Sequence, residues 1–498
     1  MSSKTLRARF SLVLLAMSLA GCANYSGLTT EGVSLDAKSL KAGQSLGGVT
    51  LSPAAWPKSD WWKSLGDPQL DGLIREALHD SPDMQIASAR AHQASAAAYA
   101  ADAARMPTLD ASGSVSRSRL SRSQDPRGQG DNYSTLRSLT GNFNYTFDLW
   151  GGQRDTWEAA LGQARAAEID RQAAQLTLAA DVARAYSDLG QAHIVHDLAD
   201  EDLKRTRQML ELSQKRLSSG IDSQYQYQQT ESLEASSEAS LIDAEKNLQS
   251  AKIALAVLLG KGPDRGNEIA RPKVLQASAV ALPSVLPAEL LGRRPDLVAA
   301  RWRVAAEARG IEAAKADFYP NVDLLGGLGR SAVQGGVQDF LRYDKLTWGL
   351  GPALSLPVYD GGLRRGRLAE AGAGYDLAVQ GYNQALVQAI KGVADALVRL
   401  KSLREQQHLV AESVDQAQHA FDLAQLARQR GLTDQRAVLE AQPALLQAQR
   451  QQQRVRAARL VAQADLLLQL GGGVLPGASG PQPRELEPGE PTLRLTHP

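Results

Sequence analysis

Leu139-Thr140-Gly141-Asn142-Phe143-Asn144-Tyr145-Thr146-Phe147-Asp148-Leu149, running into Trp150-Gly151-Gly152-Gln153-Arg154, decides the fold of this 498-residue chain. Apolar residues or glycine at every second position place one set on one side of a strand, with Thr140, Asn142, Asn144, Thr146 and Asp148 on the other. The alternation predicts a strand over 133–150, and the glycine pair after it hands the chain to helix-forming sequence. The pattern recurs where Leu346, Trp348, Leu350, Leu354, Leu356 and Val358 alternate with Thr347, Gly349, Gly351, Ala353 and Ser355 before Gly361-Gly362-Leu363-Arg364. That predicts a strand over 346–358. Leu109, Ala111, Gly113 and Val115, against Asp110, Ser112, Ser114 and Ser116, predict a partner strand over 108–118, and the stretch from Val322 to Arg330 another over 321–331. Apolar residues on one face and small or polar ones with glycine on the other are the pattern of a membrane barrel strand. A half-buried soluble sheet alternates in the same way. Between the paired strands lie polar loops, Ser121 to Asn132 and Ser331 to Lys345, expected to face outside.

Working outward, the whole chain is written twice. Ser81-Pro82-Asp83 returns as Arg294-Pro295-Asp296, and Met106-Pro107-Thr108-Leu109-Asp110 as Tyr319-Pro320-Asn321-Val322-Asp323, both at an offset of 213. Val182-Ala183 with Ala185 and Leu189 matches Val393-Ala394 with Ala396 and Leu400 at 211. Gly220 pairs with Gly431, and Leu255, Leu259 and Gly260 with Leu466, Leu470 and Gly471, at the same spacing. Ordered matches at a nearly constant offset mean tandem duplication.

Each half begins with a helix after a proline (Pro82, Pro295) that stops near the next proline, at about Arg105 or Phe318. After the strands comes one very long helix, from Arg154 to Ser219 and from Arg364 to Arg430, of about 65 residues and about 100 Å. Gly220 and Gly431 break it, and a returning helix runs from Gln224 to Leu259 and from Gln435 to Leu470. The short first helix and the returning helix, stacked end to end, total about 61 residues, close to the length of the unbroken partner. Leu233, Leu241, Leu248 and Leu255 recur near every seven, as in coiled-coil packing. Aromatic residues are only 5% of the chain, which suits thin seams between long helices better than a thick core.

Four strands cannot close a barrel, since about eight is the smallest workable number. An open edge in lipid leaves backbone groups unpaired, so closure demands several copies. Two copies give eight strands with a filled interior; three give twelve, with a ring of long helices beneath, and three is the expectation. The fold class is mainly α with a membrane β-barrel, built from a duplicated helix–strand–strand–long-helix–helix unit. The domains are expected at 1–21 (signal peptide), 22–81 (a lipidated segment packing on the periplasmic body), 82–290 (first repeat), 291–474 (second repeat) and 475–498 (a disordered tail rich in proline and glycine).

Lys4, Arg7 and Arg9 precede an apolar stretch from Phe10 to Ala20, the pattern of a secretory signal. It ends in Leu19-Ala20-Gly21-Cys22, which resembles a bacterial lipobox. That resemblance implies cleavage before Cys22, a diacylglycerol on its sulfur and an acyl chain on its amine. Ala23 follows instead of aspartate, and the resemblance to sorted lipoproteins then implies the outer membrane. The chain has no other cysteine, so a disulfide scaffold is excluded. Its formal net charge of +1 gives no reason to propose a nucleic-acid partner. Removing residues 1–21 takes away Lys4, Arg7 and Arg9 and no acid, leaving 52 basic and 54 acidic residues. Beyond the signal, the longest apolar run, Ile253 to Leu259, is far too short to span a bilayer as a helix.

Trp61-Trp62-Lys63-Ser64-Leu65-Gly66-Asp67-Pro68-Gln69-Leu70-Asp71-Gly72-Leu73-Ile74 resembles the N-terminal signature of NodT-type outer-membrane efflux lipoproteins, relatives of TolC. Leu291-Gly292-Arg293-Arg294-Pro295-Asp296-Leu297-Val298-Ala299-Ala300-Arg301-Trp302-Arg303 and Lys315-Ala316-Asp317-Phe318-Tyr319-Pro320-Asn321 carry the same resemblance, which extends to about Val474. It implies a homotrimer with a twelve-stranded barrel in the outer-membrane lipid and an α-helical periplasmic tunnel. Such a tunnel is the exit duct of a tripartite efflux system, passing drugs or small organic toxic compounds from an inner-membrane pump and a periplasmic adaptor to the medium. Ser81 stands where the family commonly has asparagine, and either residue can cap a helix. Lys261-Gly262-Pro263-Asp264-Arg265-Gly266 and Arg309-Gly310-Ile311-Glu312-Ala313-Ala314-Lys315 look like the fusaric-acid and aromatic-acid exporter branch. The pump is therefore expected to be of the proton-driven RND multidrug type or of the fusaric-acid-exporter type.

The turns Gly220-Ile221-Asp222 and Gly431-Leu432-Thr433 resemble family tips that meet adaptor hairpins. Asp434, Arg436 and Glu440 are the candidate periplasmic gate. Glu440 occupies a position where TolC relatives place a lumen-facing aspartate, and a second family aspartate falls on Ala437. Nine residues past Gly431, Glu440 lies half a turn round an ideal helix, so geometry does not choose its facing.

No catalytic, cofactor or metal site is expected. Gly326-Gly327-Leu328-Gly329 sits in a strand with no helix opening after it, unlike a phosphate loop. His193 and His196 lack a third ligand nearby and read as solvated helix residues. Trp61-Trp62 could stack on a sugar ring, but reads as packing of the N-terminal segment. No nucleophile, base and orienting acid assemble from spacing. A trimeric structural tether or adhesin without a conducting pore would share the helices, and conductance separates the two.

Overall fold

The structure, a computed structural model, describes residues 27–35, 51–52, 60–119, 133–273, 282–283, 294–333, 340–356 and 358–472. The expected signal peptide, Cys22 and the tail at 475–498 lie outside the described residues, as do most of the two polar loops.

The elements are β1 (Leu51–Ser52), α1 (Pro68–Asp80), α2 (Pro82–Ala103), β2 (Thr108–Arg119), β3 (Tyr133–Phe147), α3 (Gly152–Ser218), α4 (Gln224–Leu258), β4 (Leu282–Pro283), α5 (Pro295–Ala316), β5 (Asn321–Ala332), β6 (Leu346–Ser355), α6 (Leu363–Gln429) and α7 (Gln435–Gln469). The short β1 and β4 pair in parallel. The other four strands form one antiparallel sheet in the order β2-β3-β5-β6.

Register puts most apolar residues of the four strands on one face, with Leu136 and Leu325 falling on the other. Leu109 pairs with Phe143, Phe143 with Gly326 and Gly326 with Leu350; Ala111, Gly141, Leu328 and Trp348 make the next row. On the opposite face Ser112 meets Thr140 and Ser114 meets Ser138, each at 2.8 Å, and Thr146 donates to Asp323 at 2.6 Å. The apolar face is open, with Leu109 and Trp348 each 78% exposed. A contiguous uncovered apolar sheet face with a hydrogen-bonded polar back belongs in lipid, not in water. Gly326-Gly327-Leu328-Gly329 lies in β5, as expected.

Two strands end earlier than the alternation suggests. β3 stops at Phe147 instead of reaching 150, because Asp148 turns to cap α3, accepting from the N–H groups of Gln153 (3.2 Å) and Arg154 (2.9 Å). β6 stops at Ser355 instead of 358, and Asp360 accepts from Gly362 (2.9 Å) and Arg364 (3.2 Å) at the start of α6. Capping the first N–H groups of a long helix outcompetes two more residues of ladder.

The helices make a wall four elements wide. Next to the sheet, α2, α3, α5 and α6 pack in that order; farther along, the order is α4, α3, α7, α6. Both long helices have 67 residues, about 100 Å. The stacked partners total 57 residues, α2 and α5 having 22 each and α4 and α7 having 35 each, a little short of the expected 61 because the capping turns take the remainder. Their ends do meet. At Gly260, φ is +70° and an added Cβ would stand 2.5 Å from the Asp80 carbonyl oxygen, so only glycine lets α4 abut the α1–α2 junction. In the second half Arg294 donates to the carbonyl (3.0 Å) and side chain (2.9 Å) of Gln469.

The seams are thin, as the composition requires. Leu248 and Leu255 of the heptad run are buried, but Leu233 is 40% exposed where it lines a cavity between α3, α4 and α7. Leu297, Ile311, Tyr375, Val379 and Leu386 form a second seam between α5 and α6. Trp61 and Trp62 are buried with Leu70 and Ile74 against α3, the packing role expected of them. α1, which the sequence patterns leave unassigned, is capped by Asp67 through Gln69 and Leu70. Ser81 occupies the cap position of α2, yet its hydroxyl makes no cap hydrogen bond; the residue is 2% exposed and also ends α1. Where the two halves meet below the sheet, Trp150 stacks on Tyr319 at 4.4 Å and donates to the Pro320 carbonyl.

Candidate functional site

The end of the wall farthest from the sheet carries two reversals. At the first, Gly220 has φ +71° and Ile221 donates to the Arg216 carbonyl at 2.8 Å; at the second, Gly431 has φ +72° and Leu432 donates to the Ala427 carbonyl at 2.8 Å. Both are six-to-one helix ends in which glycine takes the left-handed position. Ile221 (64%) and Leu432 (77%) project from the turns as exposed apolar residues.

The expected tip residues do not all face outward. Asp222 is 7% exposed; its carboxylate accepts from Arg216 Nε at 2.9 Å and from the Ser213 hydroxyl at 3.2 Å. Donation from the Arg216 guanidinium holds this carboxyl below the usual aspartate range. Asp222 therefore braces the turn and does not present a contact, because a carboxylate here satisfies the arginine more closely than solvent does. Gly220, Ile221, Gly431, Leu432 and Thr433 remain at or near the surface.

Of the gate candidates, Asp434 caps α7 through the Ala437 N–H at 3.1 Å and faces Arg216 across the hairpins at 3.4 Å. Arg436 pairs with Glu440 one turn on, at 2.7 Å. Arg436 and Glu440 line a cavity of about 1120 Å³ between α3, α4 and α7.

One wall of that cavity rests on an arrangement with no counterpart in the sequence reading. Pro443 lies inside α7 and cannot donate to the Leu439 carbonyl one turn before it. Arg205 of α3 takes over, with Nη1 on the Leu439 carbonyl at 3.3 Å and Nε on Asp202 at 3.0 Å. Its side chain is only 4% exposed. A proline in the middle of an otherwise helical run was the available signal.

Among the described residues, no cluster of three or more His, Cys, Asp or Glu could hold a metal ion. His193 differs from the solvated residue expected: its Nε2 is buried with no hydrogen-bond partner among the described residues, and burial, then Arg271, pushes its pKa down.

The family model for outer membrane efflux proteins matches residues 73–261 and 286–472, one segment in each half. The chain belongs to the outer membrane efflux protein family. It is 36% identical over 492 residues to the fusaric acid resistance protein FusA of Burkholderia cepacia, across 97% of this chain and 91% of that one. The pyoverdine export outer membrane protein OpmQ of Pseudomonas aeruginosa is 31% identical, over 83% of this chain and 87% of its own length. Among solved structures, the outer membrane protein VceC of Vibrio cholerae superimposes with a TM-score of 0.74 at 33% identity, covering 84% of this chain and all of VceC. This efflux protein resides in the outer membrane, where its sheet and helical wall serve as the exit duct of an efflux system.

Proposed function

We propose that three copies close a twelve-stranded barrel over a continuous helical tunnel. That tunnel catalyses nothing and passively conducts drugs or small organic toxic compounds handed on by a pump of the RND or fusaric-acid-exporter type. The carrying observation is the four-stranded sheet, whose outer strands β2 and β6 have no further partner among the described residues. The same two sides of the helical wall bear uncovered apolar residues, Ile242 (63%) and Val257 (61%) on α4 and Leu377 (76%) and Leu409 (64%) on α6. A neighbouring copy would cover both kinds of edge at once. The names of FusA and OpmQ support small organic molecules as cargo. Adaptor contact falls to the exposed turns around Gly220 and Gly431, and the gate to Asp434, Arg436 and Glu440.

A lipid on Cys22 fits the path of the segment after it. Glu31 and Gly32 donate to Asp376 at 3.0 Å and 2.7 Å, and Leu35 to Asn383 at 2.8 Å, so the segment runs along α6. Nine extended residues span up to about 30 Å, more than the about 20 Å of helix between Asp376 and the sheet end of α6.

Detergent-purified protein should have three times the chain mass and conduct in planar bilayers. A mass other than a trimer's would overturn the closure, and a trimer without conductance would leave a tether. Cys22→Ser should lose incorporation of labelled palmitate, and undiminished labelling would remove the lipid.

A further inference from the structure

Three arginines of the cavity have acidic partners: Arg205 with Asp202, Arg216 with Asp222, and Arg436 with Glu440. Two do not. Arg450 donates through Nη2 to the Leu198 carbonyl at 3.3 Å, while its Nε is buried with no hydrogen-bond partner among the described residues. Arg454, one turn farther along α7, makes no ion pair among the described residues, and both line the cavity. Arg436, Glu440, Pro443, Gln447, Arg450 and Arg454 succeed one another at intervals of three or four, so they share one face of α7. Opposite them the wall is partly apolar, with Met209 and Leu212 of α3 and Leu233 of α4.

Arg450 and the exposed Arg454 thus bring two guanidinium charges to the cavity with no acidic partner among the described residues, and an anion would compensate them. Pockets for small organic ligands combine apolar walls with a few fixed polar groups and run to about 1,000 Å³. We propose that this cavity binds an amphipathic organic anion, a carboxylate on an apolar or aromatic body, with Arg450 and Arg454 holding the charge and Met209, Leu212 and Leu233 the body. Arg205 keeps its place through the carbonyl that Pro443 frees, so the proline shapes the site from behind. The inference rests on the exit-duct reading and sharpens it, naming one class of cargo with a holding point on the way out.

The test is calorimetric titration of the full-length purified protein with 2-naphthoate and with its neutral amide, 2-naphthamide. Naphthoate should bind about tenfold tighter or more, the usual worth of a charge-assisted pair over a neutral one, and should weaken with salt. The double variant Arg450→Gln with Arg454→Gln should abolish that preference, while Arg450→Lys with Arg454→Lys retains part of it. Unchanged helicity and assembled mass in the variants exclude misfolding. Equal binding of acid and amide, or an unchanged preference in the glutamine variant, overturns the site. Conductance of the same wild-type preparation is read separately: conduction without discrimination sinks the site alone, whereas discrimination without conduction sinks the duct and with it the meaning of the anion as cargo.

Discussion

At Gly220 and Gly431 the same backbone reversal is made twice, with φ values one degree apart and the same 2.8 Å closing hydrogen bond. The side chains around them have diverged. The first turn is locked by Arg216, Asp222 and Ser213, and α4 opens with a reciprocal pair in which Gln226 N–H reaches Ser223 Oγ at 3.3 Å and Ser223 N–H reaches Gln226 Oε1 at 2.8 Å. Where the first turn has Arg216, Asp222, Ser213 and Gln226, the second has Ala427, Thr433, Ala424 and Ala437, and its cap is Asp434 alone. Farther up, Pro443 in α7 falls where α4 has Ser232. Backbone geometry survived duplication because left-handed φ and six-to-one closure leave little choice. Charge and packing were free to differ, and the second hairpin became the one that carries the proline and leans on Arg216 of the first.

That contrast predicts its largest effect at the proline. Ser232→Pro places a proline inside α4, and among the described residues no arginine donates to the Gln228 carbonyl it would free. Thermal unfolding should register a loss of about 3 kcal/mol. Pro443→Ala should cost far less, because the helix bond re-forms as Arg205 gives up Leu439. Equal destabilisation by the two variants would break the asymmetry.

Next come the glycines. An added Cβ meets nothing within 4 Å at either, so Gly220→Val and Gly431→Val should each cost only the left-handed backbone penalty, about 1–2 kcal/mol, with asparagine cheaper. The double valine variant should abolish efflux while assembled protein remains in the outer membrane. Normal efflux in such cells would take adaptor docking away from these turns.

A smaller, one-sided effect is expected from Asp222→Ala, which should speed amide exchange at the first turn, whereas Thr433→Ala should leave the second unchanged. Because Arg216 lowers the Asp222 pKa in the folded chain, its support is complete above the ordinary aspartate value of about 3.9 and fades as pH falls through the depressed folded value. The wild-type turn should therefore loosen only in strong acid, and a transition near neutral pH would contradict the assignment.

The smallest change in stability belongs to Glu440→Gln, which removes a partly exposed pair with a typical worth of about 0–1 kcal/mol. If the cavity face of α7 lines the tunnel, single-channel recordings should show reduced cation preference and weaker block by multivalent cations. Unchanged selectivity would place Glu440 outside the conducting path.

Much of this was legible in the chain alone. Alternation at Leu139–Phe147, prolines at 82 and 295, glycines at 220 and 431, and a constant offset are local or periodic signals, and they prescribe strands, helix starts and reversals without knowledge of the partner. Tertiary structure decided what depends on a group far away in sequence. Asp148 ends its own strand because α3 needs a cap, and Asp222 faces inward because Arg216 is there to meet it. Leu233 leaves its heptad seam to line the cavity, and Pro443 is tolerated because Arg205, 238 positions earlier, reaches the carbonyl it exposes. A side chain's periodicity states which way it can point; whether a buried donor finds its acceptor there is settled only when the helices have packed.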